Sequence, residues 1–204
     1  MVHSTPIASK GKARAGEKKP DKKSAPKTPR KMTRARMENI AMYYVQRYAS
    51  SCENLRRVLM RRADKARRFH GGDRNEEKEW IEDIVSRFTR SDVLNDARYA
   101  LGRATALRRL GRSPAKIRAH LAQKGVAKNI VDKVISDTAI SETGSDATMD
   151  AALAYARRRR LGPFALKPCS KEDQKTLYKK HLAAMARAGF SYDIARRVLE
   201  TNDE

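Results

Sequence analysis

An all-α fold, three three-helix units in series, is what this 204-residue sequence predicts, and three observations carry it. First, apolar residues recur three and four apart, and no alternation of period two stands out. Second, Leu110–Val126, reading LGRSPAKIRAHLAQKGV, is a short helix with both ends marked. Ser113 is a good N-cap because its hydroxyl can accept a free backbone N–H. Pro114 follows where its missing N–H costs nothing. Ile117 and Leu121, four apart, share a face, and Gly125 supplies the left-handed residue that ends a helix. Third, this pattern echoes. Gly125, Val126, Ile130, Val134 and Ile135 match Gly189, Phe190, Ile194, Val198 and Leu199 at an offset of 64 (189 minus 125). Ser113, Ile117 and Leu121 match Ser51, Leu55 and Leu59 at an offset of 62 (113 minus 51). Such a repeat has room for three short helices, each set sharing its core with neighbours.

In chain order, residues 1–31 read as a disordered tail. Ten Lys and Arg stand there against Glu17 and Asp21, a surplus of eight positive charges, and four prolines interrupt it. Almost nothing in it could form a core. The first unit spans 32–90. Met37, Ile40, Ala41, Tyr44, Val45 and Tyr48 fall on one helical face. Thr33 with Arg36 is no capping box, which leaves the helix start soft. Ser50 or Ser51 caps a second helix with Leu55, Val58, Leu59 and Ala63 inward, until His70-Gly71-Gly72-Asp73 breaks it. A third carries Trp80, Ile81, Ile84, Val85 and Phe88, with Glu76, Glu77 and Glu79 suiting the positive end of its dipole.

The second unit spans 91–140. Asn95 or Asp96 caps a helix whose thin apolar stripe is Ala97, Ala100, Leu101 and Ala104. The helix at 113–124 follows, and a third shows Ile130, Val131, Val134 and Ile135. A polar linker, Ser141–Ser145, leads to the third unit, 146–204. Met149, Ala152, Leu153 and Ala156 face inward on its first helix, which ends in Arg157–Arg160 and stops at Leu161-Gly162-Pro163. Leu177, His181, Ala184, Met185 and Ala188 mark the next helix, and 191–200 forms the last.

Composition bears on partners. The formal net charge is +22, and charged residues make up 34% of the chain, which points to polyanions or an acidic protein surface. No apolar run long enough for a membrane span exists. Cys52 and Cys169 have neither metal-ligand spacing nor a disulfide framework; a reducing, cytoplasmic setting fits. No phosphate-binding glycine loop, dinucleotide fingerprint or His-Glu-x-x-His occurs, so no enzyme, cofactor or metal is indicated. His120 reads as a flank residue, His181 as a packing residue, and Cys52 as structural although it begins a helix. Asp96 and Arg98 read as a cap and a solvated cation. The candidate contact residues are cations near helix junctions: Arg56, Arg57, Arg61, Arg62, Arg108, Arg109, Arg112, Lys116, Arg118, Lys124, Arg157, Arg158, Arg159 and Arg160. Stacked units could align them into a groove tracking a phosphate backbone. With few Asn or Gln beside them, base-specific readout is not supported.

Several of these pieces, taken in order, resemble the RecX family of bacterial recombinase regulators. Asn95-Asp96-Ala97-Arg98-Tyr99-Ala100 is similar to the family's acidic-x-Arg-aromatic-Ala element. Leu110–Ile117, with Leu121 and Lys124-Gly125-Val126, resembles its most recognisable block. Gly189–Ile194 with Val198-Leu199 resembles its C-terminal end, and Ser51–Leu59 the first-unit counterpart. The resemblance covers about residues 33–201 and departs in a longer, more basic Ala63–Asn75 and in the basic tail. It implies an elongated, curved array of tandem three-helix repeats. The implied function is binding of a monomer in the groove of the RecA–DNA filament, inhibiting ATPase, strand exchange and coprotease activities and so moderating the SOS response. Non-specific contact with single- or double-stranded DNA is implied as well. The alternative is a sequence-tolerant protein acting on DNA or RNA directly.

Overall fold

The computed structural model describes residues 28–139, 146–166 and 171–201. The tail before Thr28, the whole 141–145 linker and Cys169 lie outside the described residues. Within them the chain forms nine α-helices and one 3-10 turn, with no strand element. Helices α1 (Arg34–Arg47), α2 (Cys52–His70) and α3 (Arg74–Arg90) enclose one apolar cluster. Helices α4 (Asp96–Arg109), α5 (Pro114–Gln123) and α6 (Lys128–Asp137) enclose a second. Helices α7 (Ala147–Arg159), α8 (Lys171–Arg187) and α9 (Tyr192–Glu200), with the turn Gly162–Phe164, enclose the third.

The first cluster is the largest. Met37, Leu55, Leu59 and Ile84 are fully buried, each contributing roughly 1.5–3 kcal/mol by leaving water. Thr33 caps α1 by accepting the Arg36 N–H at 3.3 Å, so the start left soft by the sequence has a definite cap. Tyr48 does not extend the α1 face: the backbone turns extended there and the ring is 52% exposed. Met32, ahead of α1, is buried in the cluster, and His70 Nε2 donates to the Pro29 carbonyl at 2.5 Å. Ion pairs Arg34–Asp83 (2.6 Å) and Arg87–Glu38 (2.8 Å) link α1 to α3. Being exposed, they add little beside the apolar seam. Glu77 lies in the first turn of α3, as the dipole argument expects. It is 3% exposed in the α2–α3 seam and ion-paired with Arg67, which also holds Asp64. Burial pushes its carboxyl above the usual range despite the guanidinium alongside.

In the second unit Asn95 caps α4, while Ile117 and Leu121 are fully buried beneath α4 and α6. The stripe of α4 is rotated from the expected one. Ala100 and Ala104 are buried, but Ala97 and Leu101 face solvent, and Leu107 and Arg108 go inward instead. An alanine-rich helix gives a weak directional signal, so the large residues at its C-terminal end decide which side packs. The third unit joins the second through α4 against α7. Ala100 and Ala104 are buried in the second cluster, and Ala151, Ala152 and Ala156 in the third. His181 packs as expected, half-buried, with Nδ1 accepting the Gly162 N–H at 3.0 Å.

Candidate interface at the unit junctions

The repeat acquires its meaning at the junctions. Ser51 caps α2, and its hydroxyl also donates to the Lys124 carbonyl at the end of α5, at 2.5 Å. Ser113 caps α5, and its hydroxyl donates to the Ala188 carbonyl just past α8, at 2.6 Å. Ser51 and Ser113 are equivalent in the repeat, as are Lys124 and Ala188. One joint is therefore built twice. The second helices of the three units abut end to end, α8 to α5 and α5 to α2. Each serine satisfies an orphan amide of its own helix and an orphan carbonyl of the next. Both serines are fully buried.

Glycine follows each of these carbonyls for two reasons. Gly125 and Gly189 have φ of +75° and +85°, where a side chain costs ~1–2 kcal/mol. A Cβ on Gly125 would also lie 2.2 Å from Glu53 Cγ, and one on Gly189 2.8 Å from Ser113 Oγ. The joints differ in one detail. At the first, Asp96 Oδ1 accepts the Cys52 N–H at 2.8 Å, so an acid from α4 caps α2. At the second, Pro114 occupies the equivalent position and has no N–H to satisfy. Asp96 thus caps a neighbouring unit rather than its own helix, and Arg98 pairs with Asp92 at 2.6 Å rather than standing alone. Burial raises the pKa of the Cys52 thiol, the dominant influence even at a helix start.

Beside each joint lies a cleft, and the two clefts are also equivalent. The first, about 670 Å³, is lined by Asn54, Tyr99, Arg103, His120 and Lys124 among others. The second, about 200 Å³, is lined by Lys116, Tyr155, Arg159, Ala184 and Ala188 at the corresponding positions, with Arg112 and Arg187. The pairs Tyr99/Tyr155 and Arg103/Arg159 share an offset of 56 (155 minus 99). Among the described residues no acidic side chain lines either cleft. In the first, Arg103 Nε donates to His120 Nε2 at 3.0 Å, which requires a neutral imidazole. Burial, then Arg103, Lys124 and Arg112, lowers the His120 pKa accordingly.

The fourteen cations singled out by sequence divide. Arg112, Lys116 and Arg159 converge on the second cleft with no ion-pair partner among the described residues. Lys124 lines the first cleft, its Nζ donating to Asn54 Oδ1 at 3.3 Å. Arg61 and Arg62 are exposed along a groove with Lys65, and Arg160, exposed, ends α7 in a left-handed turn. Others are engaged within the fold. Arg56 pairs with Glu82 and Arg57 with Glu53, both at 2.9 Å. Arg118 pairs with Asp132 at 3.3 Å. Arg157 lies over Phe164, and Arg158 lies over Tyr155 while donating to the Leu110 carbonyl. Arg109 is exposed on the last turn of α4. Arg108 is not a surface cation: it is buried, Nη2 donates to the Ile135 carbonyl at 3.1 Å, and burial lowers its pKa. Sequence reasoning passed over Arg103 and Arg187. Arg187 sits where Gln123 sits in the preceding unit, so the repeat itself carried the signal.

Comparison with known proteins places this architecture. Residues 95–135, which hold α4, α5 and most of α6, match the family model for the RecX second three-helix domain. The regulatory protein RecX of Myxococcus xanthus is 43% identical over 185 residues, 90% of this chain and 95% of that protein. The regulatory protein RecX of Agrobacterium fabrum is 28% identical over 81% of this chain and 83% of its own length. The crystal structure of RecX from Lactobacillus salivarius shares the fold, with a TM-score of 0.56 at 17% identity over 82% of this chain and 94% of that one. With 43% identity to a regulatory protein RecX over 90% of its length, and a domain model seated on its middle unit, this chain belongs to the RecX family of regulatory proteins.

Proposed function

We propose that the protein is a negative regulator of a RecA recombinase. It binds in the groove of the RecA–DNA filament and inhibits ATPase, strand exchange and coprotease activities. In this way it moderates DNA repair and the SOS response in the cytoplasm, as a monomer and without catalysis of its own. Membership in a family of regulatory proteins supports the class. The observation that carries the mode of action is the pair of acid-free clefts at the joints. A row of positive clefts along stacked helices suits an extended, repeating anionic partner rather than a compact one. Among the described residues no helix is long and apolar enough to cross a membrane.

The test is a titration of RecA's ATP hydrolysis on single-stranded DNA with substoichiometric protein. Inhibition that deepens with added protein is the expected result. Undiminished hydrolysis at every ratio sinks the reading. The same clefts favour one alternative, direct sequence-tolerant binding to DNA or RNA. Tight binding to bare strands with a steep salt dependence, and no effect on RecA, would select it.

A further inference from the structure

The first of the two clefts on which the proposed function rests adjoins a second groove on the first unit, and this inference deepens that reading. Four of the chain's seven tyrosines gather at one place. Tyr44 and Tyr48, with ring centroids 5.2 Å apart, line two adjoining grooves. On one side lies the 670 Å³ cleft with Tyr99, Arg103 and Lys124. On the other lies a groove of about 660 Å³ with Tyr43, Arg61, Arg62 and Lys65. Among the described residues no acidic side chain lines either groove. Tyr43 and Tyr48 are 61% and 52% exposed, Arg47 lying over one side of the Tyr43 ring and Tyr44 against Tyr48, which leaves the remaining ring surface to solvent.

We infer that this double groove is a base-stacking site for single-stranded nucleic acid. Aromatic rings flanked on both sides by cations that have no acidic partner among the described residues meet the two needs of such a ligand: stacking for bases, and positive charge for the phosphates between them. A duplex keeps its bases stacked on each other and could offer the rim cations only its backbone. An acidic protein surface would use the cations but leave the tyrosines without a role. Each groove falls in the ~300–1,000 Å³ range of clefts that hold small organic groups. Selectivity between bases is not expected, because every base has a face to stack.

The experiment needs no RecA, so its outcome and that of the ATPase titration are independent. Binding of the full chain is measured by fluorescence anisotropy at fixed salt. The three probes are a labelled deoxythymidine oligomer of about 15 nucleotides, an abasic oligomer of the same length, and a duplex of that length. The chain should bind the thymidine oligomer at least ~10-fold tighter than the abasic one, as stacking of one or more bases gives. The double variant Tyr43→Leu/Tyr48→Leu changes two exposed rings and should keep its helicity. It should lose that margin while binding the abasic strand and the duplex as before. Equal affinity of the unaltered chain for abasic and thymidine strands overturns the proposal. So does a folded double variant that keeps the full margin.

Discussion

Ser113 carries two duties with one hydroxyl, and so does Ser51. Each caps a helix and bridges to the carbonyl of the next unit. Ser113→Ala removes a cap worth ~0.5–2 kcal/mol and a hydrogen bond of ~1 kcal/mol. A thermal or urea melt should therefore show a loss of about 1.5–3 kcal/mol; a loss below ~0.5 kcal/mol would mean the bridge contributes nothing. The two half-buried histidines make a pH-dependent claim. Burial leads the lowering of both pKa values, and each ring nitrogen accepts a hydrogen bond, so the folded chain prefers them neutral. A lowered folded pKa means the unfolded chain binds more protons. Stability is then full above the unfolded value near 6.5 and falls as the pH drops below it. Melts between about pH 7.5 and pH 5.5 should show that fall. His181→Asn, which keeps an acceptor near Nδ1 but does not titrate, should flatten it; an unchanged slope would remove His181 from the explanation.

Among the helices, α5 was legible almost completely. Its cap, its proline, its two-residue seam and its terminating glycine are all local chemistry, written in consecutive residues. The buried stripe of α4 was not. Alanines lie on several of its faces, and only packing against α6 and α7 decides that Leu107 goes in and Leu101 stays out. Glu77 stands in the first turn of α3 as the helix dipole suggests, but the dipole could not show that α2 brings Arg67 across to it. Direct contrasts check these assignments. Ile117→Ala should cost ~2–5 kcal/mol because the side chain is fully buried. Leu101→Ala should stay within ~0.5 kcal/mol, since Leu101 is 47% exposed. Equal losses in denaturant melts would contradict the burial of α4 as described.

Across the whole molecule, the sequence repeat foretold that units recur but not how they join. The joint depends on backbone carbonyls that carry no sequence signature, and it became visible only when Ser51 and Ser113 were seen to reach equivalent carbonyls. The candidate interface was legible in kind and blurred in detail. Runs of Arg announced polyanion chemistry, yet Arg56, Arg57 and Arg118 spend their charge on acids distant in sequence or one helical turn away. Arg187 entered the second cleft unannounced. What remains is a convergent set, Arg112, Lys116, Arg159 and Arg187, exposed and without ion-pair partners among the described residues. The decisive measurement is the affinity of the chain for RecA–single-stranded-DNA filaments, compared with that of Arg112→Glu/Lys116→Glu/Arg159→Glu. Reversing these charges should weaken filament binding by at least ~10-fold, about 1.4 kcal/mol, with the melting profile preserved. Filament affinity unchanged in a folded triple variant would show that this cleft is not where the partner is held.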